Sequence, residues 1–121
     1  MTREELQERA LEFSLAVYTL VKPMFRDADK RLVAEQLFGS SSSTASNYRA
    51  ACVARSDREW VAKLGIVREE ADESVHWLIF IQRAGLADNR RSVVDTLLNE
   101  AQQLTRIFAA AYNTSRKKLD K

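Results

Sequence analysis

Residues 47–78, NYRAACVARSDREWVAKLGIVREEADESVHWL, decide the fold. Ser56 and Glu59 stand at the S-x-x-E spacing, in which a serine caps a backbone N–H at a helix start and the glutamate reaches back. Beyond that cap, Trp60, Leu64, Val67, Ala71, Ser74, Leu78 and Ile81 recur at helical spacing. The stretch therefore predicts the end of one helix, a tight joint, and a long helix from Ser56 onward packed on at least one neighbour.

The rest of the chain extends the same pattern. With 121 residues the sequence makes one domain, and three Gly and one Pro leave few places to turn. Ala, Leu, Arg and Glu, all strong helix formers, dominate, and no segment alternates in the manner of a strand. The lone Cys52 excludes an internal disulfide and fits a reducing compartment. The N-terminus MTREELQERA is charged rather than basic-then-apolar, and the apolar runs fall short of a membrane span. A cytoplasmic protein with no membrane partner is expected.

Four helices are predicted, over about 3–22, 30–54, 57–83 and 89–118, with Thr2 capping the first. Leu6, Ala10, Phe13, Val17 and Leu20 form its stripe, with Leu11, Leu15 and Tyr18 beside it, and Pro23 stops it. Asp27 or Asp29 is available to cap the second helix. FGSSSSTASN has a linker's composition, yet Leu32, Leu37, Ser41, Ala45, Tyr48 and Cys52 keep helical spacing straight through it. A continuous helix of roughly 37 Å, at about 1.5 Å per residue, is favoured over a break at Gly39. Gly85 suits a left-handed cap after the third helix, and Val94, Leu97, Ala101, Leu104, Phe108 and Ala111 make the stripe of the fourth. Short joints imply antiparallel neighbours, hence an all-α, up-down-up-down four-helix bundle.

Charge is unevenly spread beneath a net +2: residues 1–21, 22–58, 59–100 and 101–121 carry −2, +3, −3 and +4. Arg49, Arg55 and Arg58 cluster around the joint between helices two and three, beside Tyr48, and Arg116, Lys117 and Lys118 close helix four. Up-down alternation alone puts both clusters at one pole. A phosphate-binding surface whose affinity falls with salt, and which reads little base sequence, is one reading. Basic helix ends complementing the helix dipole are the other. A second apolar stripe on helix three (Ile66, Trp77, Phe80 and Ala84) is a candidate contact between subunits, unless the bundle's own core absorbs it.

The arrangement SSSSTASNYRAACVARSDREWVAKLGIVREEADESVHWL resembles the four-helix-bundle proteins of intervening sequences in bacterial 23S rRNA genes. That superfamily includes the accessory variability proteins of diversity-generating retroelements. The likeness covers nearly the whole chain. It is sharpest at the Ser-rich run before Asn47-Tyr48-Arg49, at Ser56, Trp60 and Lys63-Leu64, and at Glu69-Glu70-Ala71-Asp72-Glu73 before Trp77-Leu78. Gly39 and Ala50 depart from it, since many members carry a basic residue near the first and a Glu near the second. The resemblance implies a ring-shaped homopentamer. For the retroelement branch it also implies binding of nucleic acid and of a reverse transcriptase.

Catalytic chemistry is sparse. Glu73-Ser74-Val75-His76, with Glu69 one turn earlier, holds half of a di-metal carboxylate motif, but such a centre needs two copies and this chain has one His. Glu69, Glu70, Asp72 and Glu73 are instead expected to pair with Arg68 or with Arg side chains on adjacent helices or subunits. Cys52 has no orienting partner for nucleophilic catalysis, and no Gly-rich phosphate loop is present. Asn47 is read as a structural residue whose side-chain hydrogen bonds fix the bundle's register. The expectation is a non-enzymatic, cofactor-free and metal-free oligomer that binds RNA or DNA, with a reverse transcriptase or another protein as partner. An adaptor that recruits proteins alone is the alternative.

Overall fold

The computed structural model describes residues 1–120. Its four long helices are α1 (Arg3–Val21), α2 (Arg31–Cys52), α3 (Asp57–Ala84) and α4 (Arg91–Leu119). Thr2 Oγ1 accepts from the Glu5 N–H at 3.0 Å, the cap that starts α1. Pro23 does not end helical structure outright. The chain tightens into a 3-10 turn, Lys22–Arg26, where proline's missing N–H falls in the first turn.

Neither aspartate caps α2. Its N-cap is Lys30, with no side-chain hydrogen bond. Asp27 Oδ1 accepts instead from the Asp29 N–H at 2.9 Å, folding the connection into an Asx turn. α2 then runs unbroken through the serines. Leu32, expected on the buried stripe, is 65% exposed. The face that meets α1 and α3 takes in Leu37, Ser41 and Tyr48 as expected, with Val33, Thr44 and Ala51 buried beside them and Ala45 and Cys52 half-buried. Hydroxyls buried there bond back to their own helix: Ser41 Oγ donates to Phe38 O at 3.1 Å and Thr44 Oγ1 to Ser40 O at 2.8 Å. Ser40 and Ser74 share a 2.8 Å bond across to α3. Small side chains let the two helices approach closely, and the hydroxyls find their partners within the chain.

At the next joint Ser56 Oγ accepts from the Glu59 N–H at 3.1 Å, while the Glu59 carboxylate turns to Arg55 at 3.5 Å. Half of the capping box is therefore made. α3 ends in a Schellman turn: Gly85 has φ +67°, and Leu86 N–H reaches Ile81 O at 3.1 Å. A 3-10 turn, Asp88–Arg90, leads into α4.

α3 packs against α2 and α4, and α1 lies against α2 and, more loosely, α4. The core stripes predicted for α1, α3 and α4 are buried, apart from half-buried Trp60 and Ala111. At the looser α1–α4 seam Arg9 makes a forked contact to Glu100, at 2.8 and 2.6 Å, and a further bond to Gln103 at 2.9 Å. The Glu100 hydrogen bond raises the Arg9 pKa further, so the guanidinium stays charged. Among the described residues, no helix is long and apolar enough to cross a membrane.

Candidate nucleic-acid interface at one pole

The start of α1, the α2–α3 joint and the end of α4 meet at one pole, around an open cavity of about 430 Å³. Arg3, Arg55 and Lys118 line it from those three places, with Ser56, Asp57 and Ser115, over a floor that includes Cys52 and Trp60. Trp60 ties this surface to the core. The Arg3 guanidinium lies 4.1 Å from its ring centroid, and its Nε1 donates to Ser115 Oγ at 2.9 Å. Behind it the Tyr48 ring stands 6.2 Å away and leans in turn on Phe108 at 5.1 Å. Burial, and then the neighbouring Cys52, push the Tyr48 phenol well above its ordinary value, so it stays protonated.

Of the six basic residues singled out from the sequence, the cavity gathers Arg55 and Lys118. Arg58 and Lys117 are exposed and lie outside its lining, as does Arg116, which pairs with Asp120 at 3.9 Å. Arg49 lies elsewhere, on a groove of about 340 Å³ between α1 and α2, with Glu4, Glu8 and Leu11. Sequence reasoning missed Arg3. The alternation that put the joint and the last helix together also brings the first turn of α1 to that pole, but the net −2 of residues 1–21 concealed it.

Asn47 does not fix register between helices. It is half-buried, and its Nδ2 donates to Ser43 O at 2.9 Å and Ser43 Oγ at 2.8 Å, both one turn back in α2. The nearer serine satisfies it before any neighbouring helix can. Within the single chain the acidic run makes no ion pair to Arg68 or to an adjacent helix. Among the described residues, none of Glu69, Glu70, Asp72 and Glu73 has a cation within salt-bridge distance. Arg68 turns the other way and stacks on Tyr112 of α4, 4.7 Å from the ring centroid. Gly65 makes room for that ring, which already sits 3.2 Å from where a Cβ would be. Partial burial, then Glu73 and Glu69, raise the Glu70 pKa.

The outward seam of α3 runs Ile66, Glu70, Glu73, Trp77, Phe80 and Ala84, alternating steps of four and three residues. Ile66 and Phe80 are 44% and 45% exposed, and Ala84 is exposed too. Trp77 is half-buried, 5.7 Å from the Phe80 ring, and its Nε1 donates to Glu73 Oε1 at 3.4 Å. The single-chain core therefore takes up Trp77 in part and leaves Ile66, Phe80 and Ala84 exposed. Exposed His76 lies edge-on to Trp77 at 4.8 Å and lines no surface with Cys52, which sits at the pole. Among the described residues, no three His, Cys, Asp or Glu side chains converge as metal donors do.

This chain belongs to the 23S rRNA-intervening sequence protein family, which it matches over residues 3–110. A crystal structure from Bacteroides thetaiotaomicron, described as a protein of unknown function from the S23 ribosomal protein family, has the same fold. The TM-score is 0.80 over 88% of this chain and 97% of that one, at 22% identity. Comparison with curated proteins finds no match.

Proposed function

We propose that this protein is a non-enzymatic, homo-oligomeric bundle whose cationic pole binds RNA or DNA through the phosphate backbone. One observation carries the reading: three separate helix ends bring Arg3, Arg55 and Lys118 around a single cavity, with Arg58 and Lys117 exposed nearby in sequence. Phosphate contact by such side chains releases counterions, so affinity falls steeply with salt, and no device for reading base edges accompanies them. A gel-shift titration on structured RNA at low and high salt tests this. Salt-sensitive binding is expected, and no binding at low salt refutes it.

Assembly belongs to the same proposal. The apolar seam of α3 supports contact between copies, and a ring-shaped homopentamer is the form that the family resemblance suggests. Repeating the cationic pole around a ring would raise avidity without any new contact. Light-scattering mass checks it, and a single chain of 13.8 kDa at working concentration would remove it.

The unpaired acids beside Trp77 and Phe80 favour a second reading, an adaptor that takes a protein partner with basic character; a reverse transcriptase would fit either reading. Substitution of Trp77 that abolishes partner capture while RNA binding persists would separate the two.

A further inference from the structure

We infer that the pole cavity recognises a phosphate monoester, the terminal phosphate of a nucleotide or of a strand end, rather than a phosphodiester within a strand. This rests on the nucleic-acid reading above and adds a chemical preference to it. A monoester presents three acceptor oxygens and carries close to two negative charges at neutral pH, because its second pKa is about 6. An internal phosphodiester presents two such oxygens and carries one charge.

The cavity is built for the former. Arg3, Arg55 and Lys118 approach it from three elements, against the single carboxylate of Asp57 in its lining. Arg3 and Lys118 have no carboxylate within salt-bridge distance among the described residues, so their donors are available; Arg55 is shared with Glu59 at 3.5 Å. Trp60 holds the Arg3 guanidinium in place by stacking, with its own N–H already engaged by Ser115. That pre-organisation lowers the ordering cost of gripping a compact anion. The volume, about 430 Å³, lies in the range of small-molecule sites. The three cations line one recess rather than a track along a helix, an arrangement that suits a compact terminal group better than the run of a strand.

The test uses the full chain and one short single-stranded RNA in three forms: 5′-phosphorylated, 5′-hydroxyl and circular. Fluorescence anisotropy at fixed salt should show the phosphorylated form binding roughly tenfold tighter than either other form, the scale of one added charge-assisted contact. The preference should shrink below about pH 6, where the monoester loses its second charge. Arg3→Gln or Lys118→Gln should bring the forms close to parity. Arg106→Gln, an equal loss of charge on the exposed middle of α4, should leave the preference intact. Lys118 is exposed in the last turn, so its variant is expected to fold even if the Arg3 variant does not.

Equal binding of the three forms overturns end recognition while leaving backbone binding standing. If no form binds at low salt, the nucleic-acid reading falls, and free AMP then decides the pocket. Slower alkylation of Cys52 in its presence keeps a phosphate-monoester site, and an unchanged rate ends the proposal.

Discussion

Gly39 and Ser40 are neighbours in α2, and Glu73 and Ser74 are neighbours in α3, yet each pair straddles two different environments. Ser40 and Ser74 face inward, fully enclosed, and share a 2.8 Å hydrogen bond. Gly39 and Glu73 face outward, where a Cβ on the glycine would touch nothing within 4 Å and the carboxylate has no cation. Inside, every polar group found a partner in its own chain. Outside lie exposed aromatics, unpaired acids and a helix-interior glycine that internal packing does not require. A glycine there lowers stability by roughly 0.5–1 kcal/mol relative to alanine. The inward surface is finished by one chain, and the outward surface is left with apolar and acidic groups that the chain itself does not pair.

The largest expected contrast is between Leu64 and Ile66, two residues apart on α3. Leu64 is fully enclosed, so Leu64→Ala should cost about 2–5 kcal/mol in urea unfolding. Ile66→Ala, measured on dilute single chains, should cost within about 0.5 kcal/mol, since its side chain is 44% exposed. It should nevertheless weaken assembly at higher concentration. Equal losses for the two in dilute samples would mean that the outward face is not free on the single chain.

A smaller effect belongs to the serine pair. Ser74→Ala removes the bond to Ser40 from a buried site, and should cost about 1 kcal/mol. It should not cost more, because Ser40 Oγ keeps its 3.2 Å contact to Leu37 O. Gly39→Ala comes next, and its sign is the informative part. On single chains it should stabilise α2 by about 0.5–1 kcal/mol. If another chain packs closely there, the added methyl should instead lower the mass seen by light scattering.

These contrasts also bear on what the sequence made legible. Helical periodicity located all four helices to within three residues at each end, because apolar spacing, the Ser56 cap and the Gly85 turn are local signals. It put Leu32 on the α2 stripe where Val33 is the buried residue, since serines carry no hydrophobic weight to mark which side faces α3. The pole was legible from alternation and charge. Its assembly around Trp60 was not, because the stacking of Arg3 and the Ser115 bond join residues more than fifty positions apart. The Arg9–Glu100 fork escaped for the same reason: nothing local predicts a pair across α1 and α4. Asn47 and Arg68 were misjudged where a nearer or competing contact won, Ser43 for the first and Tyr112 for the second.

Glu70 supplies the smallest effect and the most direct reading of the outward face. Its pKa is raised in the folded chain, by partial burial first and by Glu73 and Glu69 after it. A carboxyl whose folded pKa lies above its unfolded one makes the folded state bind protons more readily. Its contribution is therefore lost as pH rises from the ordinary glutamate value, near 4.5, through the folded pKa. On dilute single chains the stability of wild type minus that of Glu70→Gln should thus fall as pH rises through that window, modestly, because solvent still screens the group. Contact with a cation from a second copy reverses the logic. Such a neighbour lowers the folded pKa, and the same difference should then grow with rising pH. Chemical denaturation from pH 4 to 7, at low and at high protein concentration, reads both slopes. A slope that keeps one sign across that range of concentration would mean that no cation from another copy meets Glu70 on assembly.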